Sequence, residues 1–486
     1  MSTEPDVLVV GGGPVGVTTA LLLARRGFDV RVLERDPEVY DLPRAIVMDD
    51  EIQRVFQGLG VSSGLEAITT PLLGAEFVHP GGERIIGFEV PADAVFPLGH
   101  HPTVTYYQPE LEAFLRRAAL DAGVDLRLGV EVATVDQRRD GVSATTVDGD
   151  GHRARWLVAA DGASSPIRKA LGISFVDQGF DQDWLVLDVR LRHPVPTLSP
   201  LVQQICDPAR PTTYVVGHGD YRRWEFQLQP GESRDEMATD ARVWDLLTPW
   251  ITADDADLVR AVVYRFHATV ADSMRSGRVF LAGDAAHQMP PFLGQGLCSG
   301  VRDGANLAWK LRMVADGVAA DSLLDTYGDE RLTHAAGVVA HAVDTGRLID
   351  ELSGRTETTT GLDAAYGGGR PFPILDRGIR VDGHPAVGRQ LPQPTLDGRP
   401  LDDLLGSDFA IVTDTPRAST PLGRLAHVVV VPAGTMPTVL PPGGAVIVRP
   451  DRYVAAVAHD DAELEAAGTV LLDRLCVTAT PNRSTP

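Results

Sequence analysis

An apolar run from Asp6 to Val10 passes directly into GGGPVG, and Val15 to Arg26 then carries helical spacing until Gly27 closes it. A second strand, Asp29 to Glu34, follows at once, so the segment is committed to a βαβ unit. Parallel strands need a crossover helix, and the unit therefore implies a doubly wound parallel sheet. Gly11, Gly13 and Gly16, with Pro14 and Val15 between them, form GxGxxG, a turn tight enough for backbone N–H groups to approach a pyrophosphate at the positive helix end. Glu34 ends the second strand, where a carboxylate can accept hydrogen bonds from a ribose diol. One helix terminus contributes only roughly 0.3–2 kcal/mol, so a dinucleotide held here needs further contacts elsewhere.

The chain is long enough to supply them: 486 residues, 44% hydrophobic, suffice for two or three domains. Its formal charge of −22 repels phosphate backbones and anionic lipid surfaces, which argues against nucleic-acid or membrane partners. Cys206, Cys298 and Cys476 stand far apart, without disulfide or zinc spacing, and the His100–His101 pair has no companion ligands, so no metal is expected. The N-terminus lacks the basic stretch of a signal peptide and no apolar run approaches the roughly 20 residues of a membrane span. A soluble cytoplasmic protein is the expectation.

Further along, a helix led by Gln108 runs through Ala119 and strands follow at Asp125 to Arg127 and Val130 to Asp136. Alternating stretches such as WLVLDVRLR and RRWEFQLQP read as antiparallel strands with one buried face. The strand VFLAGD then enters a Pro/Gly loop and a helix beginning near Ser299, and another helix covers Ser322 to about Leu352. The resulting division assigns 1–73, 98–175 and 268–352 to the dinucleotide domain, and 74–97 and 176–267 to an antiparallel-sheet substrate domain. A linker at 353–370 and an α/β module at 371–486 complete it.

The segment RVFLAGDAAHQMPPFLGQG narrows the cofactor. A carboxylate at the strand end, Asp284 after Gly283, can bind a polyol such as the ribityl chain of a flavin, and the following helix N-terminus can face an electron-rich ring edge. Over roughly residues 5–345 the sequence resembles the class A flavoprotein aromatic hydroxylases: GGGPVG resembles their ADP-binding fingerprint, DGASSPIR (Asp161 to Arg168) their DG motif, and GDAAHQMPPFLGQG their ribityl motif. The resemblance implies that Glu34 and Arg35 hold the adenosine half of FAD and that Arg44 and Gln108 lie by the ribityl and pyrophosphate. By the same resemblance Val132 is a further cofactor contact, Asp161 supports flavin and nicotinamide binding, and Asp284 takes the ribityl. Pro291 would line the reaction pocket, with Gly294, Gly296, Leu297 and Cys298 along the flavin edge; most relatives carry Asn where this chain has Cys298, which reads as a small apolar filler.

CDPARP, RRWEFQLQPGE and FLGQGLCSGVRDGANLAWKL look most like the 3-(3-hydroxyphenyl)propionate hydroxylase branch, with polyketide-tailoring hydroxylases as near neighbours. Both branches carry a thioredoxin-like C-terminal appendage, which the last module resembles without its redox dithiol. The implied reaction is NADH- or NADPH-dependent hydroxylation of a phenolic ring by dioxygen through a 4a-hydroperoxyflavin, the ring being a phenylpropionate-type acid or a polyketide, with a homodimer left open. Substrate-wall candidates from the antiparallel domain are Tyr214, His218, Arg222 and Trp224, and no catalytic base is assigned; His287 reads as fixing the loop beside the flavin. The rivals are a flavin halogenase, whose Trp-rich signature and dedicated lysine are missing, and a non-catalytic FAD-binding protein.

Overall fold

The computed structural model describes residues 4–39, 44–356, 374–417 and 420–478, so most of the expected linker lies outside the described residues. The opening unit comprises the fully buried strand Val7–Val10, the helix Pro14–Ala24 and the strand Val30–Glu34. Pro14 suits the first helical turn, where its missing N–H would have had no partner. Val7–Val10 pairs in parallel with Val30–Leu33 on one side and Trp156–Ala159 on the other. Asp125–Leu128 extends this sheet at one edge, Val279–Leu281 and the short antiparallel Arg275–Ser276 at the other.

Five strands between Ala159 and Val279, with Gly74–Val78, Arg84–Glu89 and His287–Gln288, build an eight-stranded sheet around the long antiparallel pair Phe175–Leu191 and Ala256–Ala271. Tyr221–Gln227, Thr212–Val216 and Val202–Ile205 follow in order, and Gly74–Val78 joins in parallel beside Val202–Ile205. Strand alternation gives the sheet two apolar faces. One carries Leu185, Leu187, Tyr214, Trp224 and Phe226 against Met237, Val243 and Leu247 of two short helices. The other carries Trp184, Val186 and Phe266 against Val339 and Val343 of the helix Asp325–Leu352, with Met289 and Phe292 packed alongside.

The helix Gly296–Ala315 starts three residues earlier than the sequence suggests, because packing and not glycine's poor propensity sets its first turn. It lies against Pro14–Ala24: a Cβ on Gly300 would stand 2.5 Å from Val15 Cγ2, and one on Gly304 2.5 Å from Thr19 Oγ1. Residue 15 meets 300 and 19 meets 304, so the two helices run parallel and begin side by side.

The C-terminal strands stand in the order Ala426–Val430, Phe409–Thr413, Ala445–Val448 and Val454–Ala458, the first pair parallel and the rest antiparallel, followed by the helix Asp461–Arg474. Buried ion pairs tie them to the rest of the chain. Glu330 accepts from Lys310 Nζ at 2.7 Å and from both Arg449 Nη atoms at 2.8 Å, and Arg54 grips Asp402 at 2.6 and 2.8 Å. No helix among the described residues is long and apolar enough to cross a membrane.

Gly300→Val is expected to destabilise the fold by about 1–3 kcal/mol through overpacking against Val15, more than the few tenths that valine's better helix propensity returns. Urea unfolding checks this, and a midpoint equal to the parent's contradicts the close helix contact.

Candidate active site

The glycine turn is closed below and open above. Gly11 sits at φ +104°, and a Cβ there would meet Ala160 O at 2.2 Å; a Cβ on Gly16 would meet Gly11 O at 1.9 Å. At Gly13, the N-cap of Pro14–Ala24, a Cβ would meet nothing within 4 Å, and no side chain caps the helix. Glu34, 8% exposed, spends its carboxylate on the turn: Oε2 accepts from the Gly12 N–H and Oε1 from the Asp36 N–H at 2.8 Å. Arg35 is exposed beside Asp36, and half-buried Val132 follows Val130, whose N–H donates to Glu34 O at 2.7 Å. Sequence reasoning missed Arg116, whose buried guanidinium donates to Gly12 O at 3.1 and 3.3 Å and to Glu112 at 2.7 Å. Its spacing of four from Glu112 was the available signal.

The second half of the site hangs on Asp303, also missed. This fully buried carboxylate accepts from the Gly283 N–H at 3.0 Å and from Arg331 Nε at 2.8 Å, and His287 Nε2 lies 2.7 Å from it. Burial acts to raise its pKa, yet His287 and Arg331 hold it below the ordinary range. His287 is thus a buried anchor of the loop. Asp284, next to Gly283, is water-accessible, yet desolvation pushes its carboxyl up against the pull of His287 and Arg44.

Beyond Pro291–Leu293, Gly294 turns the chain at φ +63°, and Gln295 enters a buried network. Arg302 donates to Gln295 Oε1 at 2.9 Å, Asp49 at 2.5 Å and Glu51 at 2.6 Å. Leu297 and Cys298 are buried in the first turn of Gly296–Ala315, which no side chain caps, and nothing stands within 4 Å of a Cβ on Gly296. Two parallel helices therefore present open N-termini side by side next to Asp284. Gln108 Oε1 accepts from the Arg44 and Ala45 N–H groups at 3.0 and 2.7 Å, and Arg223 Nη1 donates to Arg44 O at 2.7 Å. Asp161 accepts from Ser165 Oγ at 2.6 Å and the Ile167 N–H at 3.2 Å at the start of helix Pro166–Ala170. Burial raises its pKa.

These groups fit a flavin dinucleotide by their donor chemistry: two uncapped helix ends for anionic or electron-rich groups, a carboxylate for hydroxyls, and a turn in which Gly11 and Gly16 admit no side chain.

Two of the substrate-wall candidates face away from the flavin-edge loop. Tyr214 and Trp224 belong to the cluster under the helices Arg234–Met237 and Asp240–Leu247, on the sheet face opposite Met289 and Phe292. Their rings lie 4.9 Å apart, and the Tyr214 hydroxyl donates to Ser199 O at 3.2 Å. Arg222 bonds the carbonyls of Gly219 and Tyr221, and His218 Nδ1 lies 2.8 Å from Thr70 Oγ1 at the hairpin tip. The intervening residues, Arg223 and Glu225, take the inner face.

A family model described as "FAD binding domain" matches residues 4–342. A protein of Rhodococcus jostii named "Probable NADH-specific resorcinol 4-hydroxylase" is 34% identical, the match covering 94% of this chain and 93% of that one. A 3-(3-hydroxy-phenyl)propionate/3-hydroxycinnamic acid hydroxylase of Burkholderia cenocepacia is 35% identical, over 84% of this chain and 79% of its own. Among solved structures, an aklavinone-11 hydroxylase complex with FAD and aklavinone superposes with TM-score 0.80 at 24% identity, covering 98% of this chain and 100% of that one. OxyS anhydrotetracycline hydroxylase from Streptomyces rimosus does so with TM-score 0.75 at 26% identity, again over 98% and 100%.

Asp284→Ala is expected to lower the flavin carried through purification by roughly tenfold or more, the loss of a charge-assisted hydrogen bond, while the far-ultraviolet circular dichroism stays unchanged. An unaltered ratio of flavin to protein absorbance contradicts this role for the carboxylate.

Proposed function

The chain belongs to the FAD binding domain family and is an FAD-dependent aromatic hydroxylase, and from that premise we propose that it hydroxylates a small, single-ring phenol with NADH as reductant. The observation that carries the site assignment is the pair of uncapped, parallel helix N-termini beside Asp284. In this reading Gly13 and the first turn of Pro14–Ala24 take the pyrophosphate, Glu34 the adenosine ribose, Asp284 the ribityl hydroxyls, and the Leu297 and Cys298 N–H groups the pyrimidine edge. Gln108 holds the Arg44 segment.

When bound and reduced by the nicotinamide, FAD would supply the activation of dioxygen, one atom of which is transferred to the ring. The protein positions, polarises and excludes water. Asp303 and Arg302 fix both sides of the flavin-edge loop, so the cofactor meets a site that needs no rearrangement. Pro291 and the aromatic cluster of Trp184, Phe266 and Phe292 supply an apolar wall, which keeps water from diverting the activated oxygen to hydrogen peroxide.

A single ring is favoured because the relatives that match this chain over most of its length are named for resorcinol and 3-(3-hydroxyphenyl)propionate. The name of the Rhodococcus relative favours NADH. The eight-stranded sheet serves as the substrate domain in this proposal. The four C-terminal strands and helix Asp461–Arg474 form the thioredoxin-like module, with a structural role because only Cys476 lies within it.

With FAD-loaded protein, NADH is expected to be consumed faster than NADPH when resorcinol or 3-(3-hydroxyphenyl)propionate is added, and product mass to rise by one oxygen. Reductant consumption without oxygenated product from these phenols or a polycyclic one overturns the proposal in favour of an oxidase.

A further inference from the structure

Glu225 lies mid-strand in Tyr221–Gln227, paired with Val186 on one side and Thr213 on the other. Val186 packs in the cluster that holds Met289 and Phe292 of the flavin-edge loop, so alternation turns Glu225 to that inner face. Arg223 faces it from two residues along the strand, 4.0 Å away. Arg223 is itself anchored on Asp188 at 2.8 and 3.1 Å and on Arg44 O at 2.7 Å. Arg260 approaches Asp188 at 3.8 Å from the neighbouring strand. From the cofactor side, the buried Tyr106 hydroxyl, without a hydrogen-bond partner among the described residues, faces Arg223 and Cys298.

Asp188 is held by hydrogen bonds from Arg223, whereas Glu225, only 5% exposed, accepts no hydrogen bond from any described residue. The cluster counts two cations, Arg223 and Arg260, and two carboxylates, so it is neutral with Glu225 ionised and carries one positive charge with Glu225 protonated. A buried carboxylate without a donor is costly unless a partner arrives to fill the position. A phenolic hydroxyl is such a partner.

We infer that Glu225 is the base that accepts the proton of the substrate's phenolic hydroxyl. The phenol O–H bond breaks, an O–H bond forms on the Glu225 carboxyl, and the electron pair stays on the phenolate oxygen, which feeds the ring carbon that receives oxygen. The cluster then carries one positive charge against the phenolate's negative one. In water this transfer is roughly thousandfold uphill, from a phenol near 10 to a near-neutral base. The excess positive charge of Arg223 and Arg260 opposes that gap. Burial, with Asp188 acting in the same sense and Arg223 and Arg260 against, pushes the Glu225 carboxyl up to about 7, where a base serves best near neutral pH. The inference rests on the hydroxylase reading above.

The test is the pH dependence of kcat/KM for product formation from resorcinol by holoenzyme and by Glu225→Gln. The parent is expected to lose activity tenfold per pH unit below about 7, as Glu225 takes up a proton and ceases to be a base. The variant is expected to keep its FAD, read as an unchanged ratio of flavin to protein absorbance. Its product formation falls by about 10²–10⁴-fold, the limb near 7 disappears, and a ring-fluorinated resorcinol, whose hydroxyl is more acidic, recovers part of the loss. Glu225→Asp is expected to retain the limb at reduced rate. A Gln variant with the parent's rate and profile overturns the assignment, as does a loss equal at every pH and for every phenol, which marks a structural role. If the parent itself oxygenates no phenol, the hydroxylase reading fails, and the base with it.

Discussion

Helices Pro14–Ala24 and Gly296–Ala315 can lie in contact only because Gly300 and Gly304 offer no Cβ toward Val15 and Thr19, and the rest of the site depends on that contact. Running parallel, they bring two open N-termini together, one after the glycine turn and one after the flavin-edge loop. Each terminus supplies only roughly 0.3–2 kcal/mol of field, so neither alone retains a cofactor. Side by side, with Asp284 next to them, they address two ends of one extended ligand. Asp303, on the second helix, reaches back to the Gly283 N–H and His287, so the helix contact also sets the height of the Asp284 loop.

The second sheet adds chemistry to this frame through its inner face. His287–Gln288 pairs with Thr269–Val270, which stitches the flavin-edge loop to the sheet, and Arg223 bonds the backbone at Arg44 on the cofactor side. The C-terminal module reaches the same loop by a longer route. Tyr453 donates to Glu51 at 2.7 Å, Glu51 pairs with Arg302, and Arg302 holds Gln295 at the head of the flavin-edge helix. A module without redox cysteines thereby supports the site through buried hydrogen bonds.

What was legible in the sequence was whatever is local. GxGxxG with its flanking strand and helix is a contiguous signal and occupies the expected elements within a residue or two, whereas the VFLAGD strand ends at Leu281 and Asp284 falls in the 3-10 turn Gly283–Ala285. Alternation in RRWEFQLQP points to the strand that forms at Tyr221–Gln227. It could not separate the two faces, because both are apolar. Arg116, Arg302 and Asp303 escaped notice since their partners lie elsewhere in the chain, and their helical spacing says only that they are on a helix. Gly300 and Gly304 acquire their meaning only beside the neighbouring helix.

FAD held at the N-termini of these two helices would activate dioxygen for transfer to a phenolic ring. A single turnover of NADH-reduced holoenzyme with ¹⁸O₂ and resorcinol, followed by mass analysis of the product, tests it most directly. One ¹⁸O atom is expected to enter the ring product. Oxygen drawn from water, or all of the label recovered as hydrogen peroxide with resorcinol unchanged, contradicts it.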